Sequence, residues 1–165
     1  MKITVDINDE DYLEYNMYYN FHSKIGRRNT WIMRLMVPVV CILLSILILA
    51  KNTDIIFTII FNIFVIVIWE LIVNSAFKRS IKRVVKNALS GEKPPYHNHV
   101  ILEFLENEIV EYYNNDVSHY KKNELTRICE SSDYYYIFVS EIQAIIVPKR
   151  CLGNSELIFR ESLGL

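Results

Sequence analysis

The chain has 165 residues, room for one domain or for one small domain plus something else. Its 18 Lys and Arg stand against 19 Asp and Glu, a net charge of -1 that offers no overall pull toward nucleic acid. The charges are unevenly placed, and a gap between residues 35 and 73 that holds only Lys51, Asp54 and Glu70 excludes a plain soluble domain and a disordered tail; three cysteines at 41, 129 and 151, without metal-type spacing, exclude a disulfide scaffold.

Residues 1–30 open with KITVDIN, where Ile3, Val5 and Ile7 alternate with polar residues as in a strand. Asn8 or Asp9 then caps an acidic amphipathic helix through residues 9–25, with Tyr12, Tyr15, Tyr18, Tyr19 and Phe21 as its rings. Lys24, Arg27, Arg28 and Arg34 follow without an intervening acid.

Residues 31–50 and 55–73 are apolar around their whole circumference, and each covers roughly 30 Å as a helix, the thickness of a hydrocarbon core. Residues 51–54 leave room only for a tight antiparallel turn, so residues 31–73 are expected to form a transmembrane hairpin rather than two core helices. A cationic collar precedes the hairpin and a second one follows it, which puts both termini in the cytoplasm and Trp31 and Trp69 at one interface. Antiparallel pairing sets Arg34 and Glu70 at nearly equal depth, an intramembrane polar pair. Asn62 is expected to act as helix glue, toward Ser45 or a second copy, and Pro38 falls in the first turns of its helix.

Residues 74–95 form a basic amphipathic stem. Phe77, Ile81, Val84 and Ala88 share one helical stripe, while Lys78, Arg79, Lys82, Arg83 and Lys86 occupy the rest before Gly91, Pro94 and Pro95 stop the helix. Such a helix lies along anionic headgroups or serves as a stalk, and the bilayer accounts for its charge without nucleic acid.

From residue 96 to 165 the period is two. Strands are expected near 99–104, 108–114, 117–122, 124–131, 134–139 and 143–148, then a helix from Asn154 or Ser155 carrying Leu157, Phe159 and Leu163. This is a small barrel-like or sandwich domain, and the N-terminal strand is available to join its sheet. No phosphate loop, Cys-x-x-Cys, His-Glu-x-x-His or Gly-x-Ser-x-Gly occurs. His97, His99 and His119 lack the carboxylate or Cys that completes a metal site, and Glu103, Glu106, Glu108 and Glu111 read as the solvated face of one hairpin. No nucleophile, base and orienter converge, so neither enzyme, cofactor nor metal is expected.

The stretch VILEFLENEIVEY, the Tyr-rich SDYYYIFV and above all AIIVPKRCL resemble the YcxB-like family of bacterial membrane proteins, with Leu152 where that family tends to place an aromatic. The resemblance implies an α+β membrane protein of the bacterial inner membrane: a two-helix hairpin plus a cytoplasmic β-meander similar to a pleckstrin-homology barrel, closed by a C-terminal helix. The expected function is a non-enzymatic binding module for lipid headgroups or a partner protein, with Lys149, Arg150 and the stem cations facing anions. An accessory, regulatory or self-assembling two-span subunit of a membrane complex or transporter is the alternative.

Overall fold

The computed structural model describes residues 1–49, 54–91 and 94–165; the expected turn at 51–54 falls almost entirely outside them. The chain runs β1 (Lys2–Asp6), α1 (Asp9–His22), α2 (Lys24–Leu49), α3 (Ile55–Leu89), β2 (His99–Phe104), β3 (Glu108–Tyr113), β4 (Asp116–Lys121), β5 (Arg127–Glu130), β6 (Tyr134–Phe138), β7 (Ala144–Pro148) and α4 (Glu156–Leu163). It divides into a helical unit, Asn16–Asn87, and a β unit made of Met1–Tyr15 with Ala88–Leu165.

In the helical unit α1 gives way to α2 at Ser23. Its backbone N–H closes the last turn of α1 on the Tyr19 carbonyl, and its hydroxyl accepts the Gly26 N–H as the cap of α2. Gly26 is required there, because a Cβ would stand 2.3 Å from the Asn20 carbonyl oxygen. Since α2 begins at Lys24, Pro38 lies deep in the helix and not in its first turns. Proline there leaves the carbonyl four residues earlier without its helical donor, and the Trp69 indole N–H supplies one to the Arg34 oxygen at 3.1 Å.

The helices α2 and α3 run antiparallel, since Ser45 meets Asn62 and Arg34 meets Asn74. Both are long and apolar enough to cross a membrane, and of their most apolar windows 0% and 6% are buried within the protein. The stem is no separate element but the end of the 35-residue α3, about 52 Å long. Its buried stripe is Val73, Phe77, Ile81 and Val85, a strict four-residue repeat, while Val84 and Ala88 are exposed. The four-residue repeat keeps one ridge against its neighbour, where Phe21 of α1 meets Phe77 edge to face.

The β unit holds two antiparallel sheets, ordered β1-β2-β3-β4 and β5-β6-β7. The opening strand does join the sheet, with Lys2 opposite Glu103 and Asp6 opposite His99. A closed barrel does not form among the described residues: a 3₁₀ turn at Lys122–Glu124 carries the chain off the end of β4, and β5 pairs with β6 alone. Ile3, Val5, Leu102, Phe104 and Ile109 of the first sheet face Tyr135, Ile137 and Val147 of the second. Phe159 of α4 fills one side of this core, edge-on to Phe104 at 5.2 Å, and Leu152 is buried beside it. Strand β6 is buried on both faces, because Tyr15 of α1 lies over Tyr136 and Phe138; the Tyr-rich run therefore shows no alternation.

Candidate functional site

Sheet register decides which side each carboxylate faces. Leu102 stands opposite Glu111 and Glu111 opposite Ser118, while Ile109 stands opposite Tyr120. Side chains two apart on a strand share a face, so Glu111 points the way Ile109 does, toward the core. It does not belong to the solvated face expected for it: its side chain is 16% exposed. Glu103 on the other face accepts from the Tyr112 hydroxyl, and Glu108 lies 3.1 Å from His119.

Glu111 lies in a cleft of about 540 Å³ within the β unit, walled by Val5, Ile7, Val100, Ile145 and Ile146. The Tyr120 hydroxyl donates to Glu111 Oε2 at 2.9 Å, and burial, followed by that carboxylate, raises the phenol pKa. His97 Nδ1 is 3.5 Å from Oε1, its ring stacked 3.8 Å from that of Tyr113. Ser118, Gln143 and Tyr96 also line it. Among the described residues no Lys or Arg lies within ion-pair distance of Glu111.

The Pro-Lys-Arg segment faces inward as well. Lys149 Nζ lies 2.7 Å from Glu130 Oε1 and 4.9 Å from the centre of the Tyr135 ring. The hydrogen bond from Lys149 holds the Glu130 carboxyl below its usual pKa. Arg150 grips both oxygens of Asp11, at 2.6 and 2.5 Å, and donates to the Asp6 carbonyl. Asp11, 1% exposed, also accepts from the Tyr134 hydroxyl and exchanges reciprocal capping bonds with Asn8. Burial raises the Asp11 pKa, but the hydrogen bonds from Arg150, Asn8 and Tyr134 outweigh it and leave the carboxyl below its ordinary value. Burial, then the bond to Asp11, pushes Tyr134 up to about 12. Both cations are thus paired within the β unit.

The stem cations Lys78, Arg79, Lys82, Arg83 and Lys86 are all exposed on α3, with Lys78 5.9 Å above the Phe21 ring. Arg34 Nε lies 3.6 Å from Glu70, beyond hydrogen-bond reach and without another partner, while Nη2 donates to Asn74. Asn62 spends its amide donors on Ser45 Oγ and the Thr58 carbonyl. The histidines are not brought together: His97 turns to Glu111, His99 to Asp6 and His119 to Glu108. Sequence reasoning missed Asp11, readable only as a cap, and Glu111, whose two-residue offset from Ile109 was the available signal.

No curated protein and no solved structure matches the chain. A family model described as YcxB-like protein matches residues 104–160, from the end of β2 into α4. Lys149, Arg150 and Glu111 lie inside that match, while Asp11 and the two apolar helices lie outside it, so the likeness to the YcxB-like family covers the C-terminal part of the chain.

Proposed function

We propose that this protein is a non-enzymatic binding module anchored in the bacterial inner membrane by its two apolar helices, with both termini in the cytoplasm. The observation that carries the reading is the insertion of both helices between paired strands. Chain leaving Asp6 returns at His99 directly beside it, so the excursion crosses the bilayer an even number of times. Two exposed apolar helices supply two crossings, and cationic residues at both ends favour the cytoplasmic side. Sheets of four and three strands followed by α4 support a pleckstrin-homology-like arrangement, opened rather than closed. The exposed stem cations Lys78, Arg79, Lys82 and Arg83 support contact with anionic headgroups. A self-assembling or accessory two-span subunit would use polar groups left over between spans; Asn62 spends its donors at home, which disfavours it, while Arg34 Nε beside Glu70 is the group such a subunit would use. The test is a pair of topology reporters: a green fluorescent protein fused at the C-terminus fluoresces and alkaline phosphatase fused at residue 52 is active. The reverse pattern, or a chain released by alkaline carbonate, overturns the anchored reading.

A further inference from the structure

The cleft at Glu111 has the size of a small-molecule site, within the roughly 300 to 1,000 Å³ of such pockets. Its walls are largely aliphatic, with Tyr96 and His97 among them, and Glu111, turned inward by the sheet register, is the one acidic side chain among the described lining residues. The groups that reach this carboxylate are a phenol and an imidazole, so the lining offers hydrogen bonds but no Lys or Arg counter-ion among the described residues. A carboxylate shielded from water gains most from an opposite charge. One carboxylate with a phenol and an imidazole beside it falls short of the six to eight oxygens, roughly, that a calcium ion takes. We propose that the cleft binds a small organic cation, an ammonium or guanidinium on a hydrocarbon or ring body: the head pairs with Glu111 and the body lies against Val5, Val100 and Ile145. The same carboxylate repels phosphate and carboxylate ligands, so the cleft and the cationic stem recognise opposite charges.

This inference rests on the reading of the β unit as a binding module, and its test separates the two. The full chain in lipid nanodiscs, with labelled Val and Ile methyls, is titrated with 2-phenylethylammonium, with 3-phenylpropionate as the matched anion, and with glycerol 3-phosphate. The amine is expected to shift the Val5, Val100 and Ile145 methyls saturably, at least ten-fold more tightly than the anion, while Val39 in the span changes only without saturation. Glu111→Gln is expected to weaken the amine at least ten-fold. Ser118→Lys, at an exposed position of the lining, places a tethered ammonium in the cleft and is expected to abolish binding with Glu111 intact. Equal affinity for amine and anion, or amine binding untouched by both substitutions, overturns the cationic assignment. Saturable shifts with glycerol 3-phosphate alone, or no saturable shift with any probe, overturn it, whereas the membrane-anchored reading stands or falls separately on the topology reporters.

Discussion

Arg150 and Asp11 are the most tightly defined pair in the β unit, and their geometry sets what substitution does. Removing the guanidinium strands a buried carboxylate, which costs roughly 3 to 5 kcal/mol in a fully buried pair. Arg150 is half exposed, and solvent screening brings the expected loss for Arg150→Ala to about 2 kcal/mol in thermal unfolding of the detergent-solubilised chain. Arg150→Lys recovers little of it, because an ammonium cannot span both oxygens. The folded Asp11 pKa is depressed, so the clamp contributes fully above the unfolded carboxylate value near about 4 and is lost as pH falls through the lower folded value. Tyr134 behaves oppositely: with its pKa pushed up to about 12, its contribution is complete below roughly 10 and lost as pH rises through the folded value. An acid-unfolding midpoint that Arg150→Ala fails to raise would contradict this account. Pro38 and Trp69 form a second such pair. Trp69→Phe leaves the Arg34 carbonyl unanswered at a cost of about 1 kcal/mol, and in a Pro38→Ala background the restored N–H makes the same change cheaper, a coupling that a double-mutant cycle reads.

The stripe on α3 shows how a continuous helix uses four-residue spacing. Val85 is 4% exposed and its neighbour Val84 is 65% exposed. Val85→Asp buries a charge without a partner and is expected to lower expression and thermal stability sharply, whereas Val84→Asp is expected to be tolerated. Equal tolerance would put the stripe where the seven-residue spacing from Phe77 suggests. At the α1–α2 corner, Gly26→Ala must push the two helices apart, since the added Cβ meets backbone and not a movable side chain. In the β unit α4 is held by Phe159 against Phe104 and Tyr135, and Phe159→Ala is expected to cost about 3 to 5 kcal/mol in unfolding monitored by tyrosine near-ultraviolet circular dichroism.

The chain combines a β unit whose edge strand β1 comes from the N-terminus with a helical excursion between its first two strands. Net charge of -1 is a cancellation between regions: an acidic start, cationic stretches on both sides of the apolar helices, and an acidic YcxB-like part. Neutralising Lys78, Arg79, Lys82, Arg83 and Lys86 together is expected to scramble reporter orientation while leaving the methyl spectrum of the cleft unchanged, because the cleft contains none of them.

Much of this was legible in the chain. The charge gap located the apolar helices, the change to a two-residue period located the strands within three residues, and AIIVPKRCL pointed to the YcxB-like match. These are local properties, set by side-chain period and backbone propensity. The failures share one cause, which is that sequence spacing does not say what lies opposite. Glu111 shares the alternation of Ile109, but Val110 is equally apolar, and only register shows which of the two sides faces the core. Val84 and Val85 are equally apolar, and only the helix packed beside them selects one. Lys149 and Arg150 read as free cations until Glu130 and Asp11 arrive from distant segments. Composition and period therefore determined the elements and where the apolar surface lies. Register and long-range pairing decided which charges are paired inside the fold and which carboxylate is turned into the cleft, because both depend on segments far apart in the chain.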